Sequence, residues 1–332
     1  AARRGVAVRV LVDGLGAREF PEGLGRVLAD GGVQVEIYRP EIELFKLRRH
    51  RLRRLHRKLA TIDGRIAFVG GINIIDDHDM PQLGPRFDYA VRIEGPLVAR
   101  VRGSMGYLWR MIGWARLRRR PPLPPLSPCR LEAPAGGMQA AFVIRDNLRH
   151  RRDIEDAYLA AVEHAQTEIV LASAYFLPGR RFRHALREAA KRGVKVIILL
   201  QGQIEYALLH YATQALYASL LKSDIRIHEY QAGFLHAKVG VVDDAWATVG
   251  SSNIDPFSLL LAREANVVVQ DAGFATQLRN SLRLAITEDA VEITHAELKR
   301  STLFTRTLRW AAYGLVRLML GLTRYGGKDY RE

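Results

Sequence analysis

Two short segments carry the residues best suited to chemistry. The first reads His56-x-Lys58-x4-Asp63-Gly64 and is followed by Gly70-Gly71-x-Asn73. The second reads His236-x-Lys238-x4-Asp243 and is followed by Gly250-Ser251-Ser252-Asn253. In both, the asparagine stands 17 residues after the histidine. On an extended strand, a His and a Lys two apart project from one face, so each segment offers one ligand an imidazole and an ammonium. Brought together, two His, two Lys and two Asn suit a phosphodiester: cations and amide donors hold the non-bridging oxygens while the imidazoles do covalent and proton-transfer work. Neither task calls for a metal. A lone histidine is more often packed or surface-exposed than catalytic. A second copy in register changes that balance, because a chance repeat of the fixed positions is a roughly one-in-a-thousand event or rarer.

The elements that must position these residues repeat as well. Ala1-Ala2-Arg3-Arg4-Gly5-Val6 leading into 8–12 reads like Ala189-Ala190-Lys191-Arg192-Gly193-Val194 leading into 196–200: a helix end, a glycine stop and a buried strand. Segments 58–63 and 65–69 match 238–243 and 246–249, each pair reading as two short strands around a turn. A third strand follows at 89–93 and at 265–269. With helical stretches at 180–192 and 207–222, this predicts an α/β fold. Two related halves, each a mixed sheet flanked by helices, are expected to pack about a pseudo-two-fold axis with the active site between them. The strand and helix at 168–192 would have their first-half counterpart before residue 1, so the first half is expected to lack about 35 N-terminal residues. The expected boundaries are a first half over 1–120, a Pro-rich linker over 121–137, a second half over 138–295 and a C-terminal tail over 296–332.

The chain has 332 residues, 48% of them hydrophobic, which is enough for a large core. A net charge of +15 points to a polyanionic partner, either nucleic acid or an anionic membrane. The single cysteine, Cys129, excludes an internal disulfide and a Cys-based metal site. No uninterrupted run of about 18 apolar residues occurs, so any membrane contact is expected to be peripheral. A basic run from Lys46 through Arg48, Arg49, Arg51, Arg53 and Arg54 leads straight into His56 and would attract phosphates or anionic headgroups. In the tail, Phe304, Leu308, Trp310, Leu315 and Leu318 alternate with Arg306, Arg309, Arg317 and Arg324, the pattern of an interfacial helix or of a core-packing one. Asp76-Asp77-His78-Asp79 has ligand types, but contiguous ligands in a loop seldom converge on one metal. The basic run Arg116–Arg120 is as readily a solvated face as a membrane contact.

The doubled His-x-Lys-x4-Asp motif resembles the phospholipase D superfamily, and because both halves match, the resemblance covers most of the chain. It implies that one motif histidine attacks phosphorus to form a phosphohistidine, while the other protonates the leaving alcohol and then deprotonates the incoming one. By that analogy His56 is the nucleophile and His236 the general acid and base. The resemblance also implies a downstream acid orienting each histidine, for which Glu264 and Asp88 stand at matching places. The expected catalytic set is therefore His56, Lys58, Asp63, His236, Lys238 and Asp243, the two motif Asp reading as structural because they sit in the turn. Asn73, Asn253, Ser251, Glu264 and Asp88 are expected to support it or to meet the substrate phosphate. Gly71 stands where the second half has Ser251, so a hydroxyl is offered from one side only.

The segments 68–74 and 88–96, together with the tail, are similar to cardiolipin synthases of the short kind lacking N-terminal transmembrane helices. That similarity implies transfer of a phosphatidyl group from phosphatidylglycerol, or a related donor, to the hydroxyl of a second phospholipid, with glycerol released. It implies no cofactor and no metal. The partners would be anionic phospholipids and a membrane surface, contacted by the basic run and Trp310, at the cytoplasmic face of a bacterial inner membrane. The alternatives are a phosphodiesterase acting on phospholipid or nucleic acid, and a non-catalytic lipid-binding scaffold.

Overall fold

The computed structural model describes residues 1–40, 54–75, 84–116 and 137–323, with side chains through Leu320. Arg48, Arg49, Arg51 and Arg53, the stretch Asp76-Asp77-His78-Asp79, Cys129 with the Pro-rich run, and Arg324 lie outside the described residues.

In chain order, the first half supplies β1 (Arg9–Asp13), α1 (Leu24–Asp30), β2 (Gln34–Tyr38), β3 (Lys58–Ile62), β4 (Ile66–Gly70), β5 (Ala90–Glu94) and α2 (Leu97–Ala115). The second supplies β6 (Gln139–Arg145), α3 (Asp153–His164), β7 (Glu168–Ser173), α4 (Arg180–Lys191), β8 (Lys195–Gln201), α5 (Ala207–Leu221), β9 (Arg226–Tyr230) and β10 (Lys238–Val242). It continues through β11 (Trp246–Gly250), α6 (Pro256–Leu260), β12 (Glu264–Gln270), α7 (Ala272–Asp289), β13 (Ala290–Ile293), α8 (His295–Arg300) and α9 (Leu303–Thr323).

The second half is organised on one sheet of order β13-β9-β8-β7-β10-β11-β12-β6. Strands β7, β8 and β9 run parallel, and every other pairing is antiparallel. A parallel centre made of residues such as Ile169, Leu171, Val196 and Ile198 must be covered on both faces. On one face α3, α4, α5 and α9 supply Leu159, Leu186, Leu216 and Val316. On the other, α7 brings Leu278 and Leu282, and the first half adds Phe87, Tyr89 and Val91.

In the first half, β1 pairs with β2 in parallel, and β3-β4-β5 form a separate antiparallel sheet. These strands correspond to β8, β9 and β10-β11-β12. The place that β7 fills between β8 and β10 has no described strand in the first half. One mixed sheet therefore becomes two smaller ones there. The β3–β4 turn has φ of 53° at Asp63 and 67° at Gly64. Two left-handed residues in succession are what a tight hairpin needs to match strand twist.

The halves meet through a shared apolar layer in which Ala67, Val69, Val98, Val101, Val267 and Val269 are all buried. A fully buried aliphatic side chain of this size contributes about 1.5–3 kcal/mol, so the seam is held as a core rather than as a polar contact. Strand β6, which pairs with β12 from Glu264↔Arg145 to Gln270↔Gln139, is an edge strand that the sequence reading did not anticipate. In the tail, Thr294 and Glu297 form a capping box that starts α8. Helix α9 lays Ala312, Val316 and Leu320 into the core. Among the described residues, no helix is long and apolar enough to cross a membrane.

Candidate active site

Two isolated parallel bridges, Leu55 with Arg263 and Phe87 with Leu235, stitch the halves together at equivalent points. Around the first, Arg263 N donates to Arg54 O at 2.7 Å and His56 N donates to Arg263 O at 3.0 Å. Around the second, Phe87 N donates to Phe234 O at 2.9 Å and His236 N donates to Phe87 O at 2.9 Å. The residue after each bridge position is one of the four candidate site residues His56, Glu264, Asp88 and His236. His56 lies beside Glu264, and His236 lies beside Asp88, so each half's histidine meets the other half's acid.

The contacts are direct. His56 Nδ1 lies 3.0 and 3.1 Å from the two Glu264 carboxylate oxygens. His236 Nδ1 lies 2.6 Å from Asp88 Oδ2. A carboxylate on Nδ1 leaves Nε2 as the reacting nitrogen and stabilises an imidazolium. The two sites differ in exposure: the His56 side chain is 34% exposed and that of His236 10%. Lys58 and Lys238 open β3 and β10, and each donates its Nζ to the carbonyl of the histidine two residues earlier. Lys238 Nζ is also 4.0 Å from Asp88 Oδ2.

Burial dominates the electrostatics. It lowers Lys58 to about 8 against the pull of Glu264 and Asp88, and lowers Lys238 to about 7 with only partial compensation from Asp88. It takes His236 down to about 4, although the Asp88 hydrogen bond opposes it. Burial pushes Glu264 up, but His56, Lys58 and Ser251 outweigh that effect and hold its carboxyl below the ordinary value. The centre thus sets two carboxylates against two lysines, whose charges cancel, so an arriving phosphate anion favours the protonated form of the nearby imidazoles and ammonium groups.

Several expectations are corrected by this geometry. Ser251 is fully buried and donates its hydroxyl to Glu264 at 2.6 Å, so it holds the acid and does not face a phosphate. At the matching position, a Cβ on Gly71 would fall inside contact distance of both Asp88 carboxylate oxygens. The shorter acid needs the glycine; the longer one reaches the serine. Gly71→Ser is accordingly expected to push Asp88 off His236 and to cut phosphodiester turnover about 100-fold, the effect of a roughly 1 Å misplacement, as read in kcat. Asp243 accepts backbone N–H bonds from Gln166, Thr167 and Glu168 at 2.8–3.2 Å, and Asp63 is exposed in its turn. Both sit about 17 Å along the strand from the lysines, in the turns where the sequence reading placed them as structural residues, too far to join the lysines although they stand with them in the motif. Arg54 is spent on Asp13, at 2.6 Å, rather than on a headgroup.

Asn253 is nearly buried, and its side-chain oxygen has no hydrogen-bond partner; Asn73 is half-buried on the other side. Among the described residues, no three His, Cys, Asp or Glu side chains gather as metal ligands. Sequence reasoning missed three arginines, one half-buried and two buried, that fix the seam. Arg57 donates to Glu264 O at 2.9 Å, Ser104 Oγ at 3.0 Å and Arg145 O at 3.1 Å. Arg145 and Arg263 are buried, against Leu260, Ala262 and Tyr38. Also missed was the pair Asp13 and Gln201, each accepting the N–H of the residue before a motif histidine. Carrying the repeat seven residues past Val6 and Val194 would have found them.

A duplicated α/β fold with one His-Lys pair from each half facing across the seam defines the phospholipase D class. Comparison with known proteins agrees. Residues 1–99 and 158–284 match the family model described as cardiolipin synthase, PLD-like domain. The chain is 38% identical over 329 residues to cardiolipin synthase B of Shigella flexneri, covering 96% of this chain and 76% of that protein. It is 39% identical to cardiolipin synthase B of Salmonella typhi with the same coverage. The crystal structure of phosphatidylserine synthase from Haemophilus influenzae Rd KW20 superposes with a TM-score of 0.61 at 12% identity, over 98% of this chain and 91% of that one, which shows a shared fold. The chain belongs to the cardiolipin synthase, phospholipase D-like domain family, and it is a phospholipid phosphatidyltransferase of the phospholipase D superfamily.

Proposed function

We propose that the protein moves a phosphatidyl group from phosphatidylglycerol, or a related phospholipid, to a hydroxyl of a second phospholipid through a phosphohistidine. The observation that carries this reading is the reciprocal exchange of His56 with Glu264 and His236 with Asp88. His56 Nε2 attacks phosphorus, the bond from phosphorus to the glycerol oxygen breaks, and that oxygen takes a proton from His236. His236 is charged in the complex because the arriving phosphate anion, added to Asp88, raises it from the low value that burial gives it in the free enzyme. The incoming lipid hydroxyl then loses its proton to His236 and attacks phosphorus, and the phosphorus–nitrogen bond breaks. The more open imidazole suits the nucleophile, and the bidentate buried carboxylate compensates the charge it acquires. The more enclosed His236 suits the proton carrier, since a proton meant for an alcohol must be kept from water. Lys58, Lys238, Asn73 and Asn253 hold the non-bridging oxygens.

In the free enzyme both lysines must be cationic to do this. They deprotonate as pH rises through about 7 for Lys238 and about 8 for Lys58, so kcat/KM is expected to fall across pH 7–9. A kcat/KM that stays flat to pH 9 contradicts the role.

Transfer is proposed to take place at the cytoplasmic face of a bacterial inner membrane, with the enzyme peripheral. On α9, Phe304, Trp310, Leu315 and Leu318 are exposed, on the side away from Val316 and Leu320. Arg309 does not reach outward, since it donates to Gln214 at 2.9 Å and Ser301 at 3.1 Å. An apolar face on a chain of net charge +15 fits an anionic bilayer. Replacing Phe304 and Trp310 together by Asp is expected to weaken flotation with anionic vesicles at least about 100-fold, from the ~1.5–3 kcal/mol each side chain buries. Turnover of monomeric short-chain phosphatidylglycerol should persist.

The deciding experiment incubates the purified protein with labelled phosphatidylglycerol vesicles and a chelator, and follows the lipids by mass spectrometry. Cardiolipin is the expected product. Phosphatidic acid alone would make the protein a hydrolase, and cleavage of single-stranded DNA without lipid turnover would make it a nuclease.

A further inference from the structure

The two motifs differ at the position between their histidine and lysine, where the first has Arg57 and the second Ala237. Ala237 is fully buried, and its carbonyl takes the Ala174 N–H from its own half at 3.1 Å. Arg57 reaches across the seam. Its Nε donates at 2.9 Å to the main-chain oxygen of Glu264, the residue whose carboxylate meets His56. Its Nη1 donates to Ser104 Oγ on α2 at 3.0 Å, and its Nη2 to Arg145 O on β6 at 3.1 Å. Burial brings the guanidinium down only to about 10, so it stays charged at neutral pH.

The two histidine–acid pairs are therefore fastened unequally. Segment 56–57 meets segment 263–264 through His56 N to Arg263 O, His56 Nδ1 to the Glu264 carboxylate, and Arg57 Nε to Glu264 O. His236 makes the matching bonds to Phe87 O and Asp88 Oδ2, but the alanine after it has no side-chain donor for the Asp88 carbonyl. Asp88 is steadied by its own neighbour instead, since Tyr89 N donates to its Oδ1 at 2.7 Å. Glu264 is held at both ends, its carboxylate by the Ser251 hydroxyl at 2.6 Å and its backbone by Arg57. The planar guanidinium, bonded at once to β12, β6 and α2, fixes where that backbone sits relative to His56.

We propose that Arg57 is a positioning residue for the nucleophile alone: it holds Glu264 on His56, so that forming the phosphohistidine depends on it while the proton transfers of His236 do not. The proposal rests on the phosphohistidine reading of the site. The division has a physical reason. A nucleophile must stay aimed along one line to phosphorus, whereas a proton carrier serves first a departing oxygen and then an arriving one. The stiffer fastening falls on the histidine that needs the fixed aim.

The test compares single-turnover cleavage of two donors by excess enzyme: phosphatidylglycerol, whose glycerol needs a proton to leave, and phosphatidyl-p-nitrophenol, whose nitrophenolate does not. Loss of aim at His56 slows both donors equally, whereas loss of His236 slows mainly the first. Arg57→Met is expected to slow both about 100-fold, the cost of roughly 1 Å of misplacement. Ser104→Ala removes one acceptor of the guanidinium and should slow both about fivefold, the size of one hydrogen bond. A thermal melt establishes that each variant is folded, and where Arg57→Met does not fold, the Ser104→Ala rates decide. Unchanged rates in a folded variant overturn the proposal. A loss with phosphatidylglycerol more than about tenfold greater than with the nitrophenyl donor also overturns it, because Arg57 would then brace the whole seam and both histidines. A parent that gives no burst of nitrophenolate and carries no phosphate on His56 overturns the phosphohistidine reading, and the positioning role with it.

Discussion

His56→Ala is expected to lower phosphatidyl transfer by at least about 10⁴-fold, and His236→Ala by a similar factor, with the double variant little worse than either. The near-equality follows from shared work, since each histidine matters only while the other completes the displacement. A donor with a good leaving group separates their roles. With a p-nitrophenyl phosphodiester of the lipid, departure needs no proton, so His236→Ala should release a burst of nitrophenolate and accumulate a phosphorylated His56. His56→Ala should give no burst. The opposite pattern would exchange the two roles, and no burst from either variant would contradict a covalent intermediate.

Glu264→Gln carries the second large effect, about 10³–10⁴-fold in kcat, by analogy with replacing the acid of a Ser-His-Asp triad. Glu264 is fully buried, it takes the Ser251 hydroxyl at 2.6 Å, and both its oxygens face His56 Nδ1. The amide can present an N–H to Nδ1, which fixes the wrong tautomer and supplies no counter-charge for the phosphorylated ring. The fold should survive, because a neutral amide of the same shape costs less to bury than a carboxylate. A cooperative thermal melt with kcat collapsed is the expected pair of results. An unchanged kcat would show that Glu264 only packs.

Much of this centre was legible in the sequence because it is written twice. Repetition singled out His56, Lys58, Asn73 and their second-half partners, and the β3–β4 and β10–β11 hairpins fall where alternation and turn residues indicated. The crossing was not legible. Which acid meets which histidine is set by the bridges Leu55↔Arg263 and Phe87↔Leu235, and pairing over such separations leaves no local trace. The seam arginines were hidden for a different reason. Arg57, Arg145 and Arg263 read as surface charge, and only the carbonyls and hydroxyls brought to them by folding make their burial tolerable. Strand β6 was missed because Gln139–Arg145 lacks a clean alternation and gains its place only from β12.

The crossed bridges have a consequence for how such an enzyme fails. Because each base is armed from across the seam, a shift of the halves by about 1 Å detunes both at once. A loosened molecule is therefore expected to lose the positioning of both histidines together, and to be silent rather than leaky. Under the proposed mechanism, partial opening, which would let water reach a phosphoenzyme, is also the condition under which that phosphoenzyme would stop forming. On that reading, fidelity to the alcohol would be a property of how the two halves are assembled.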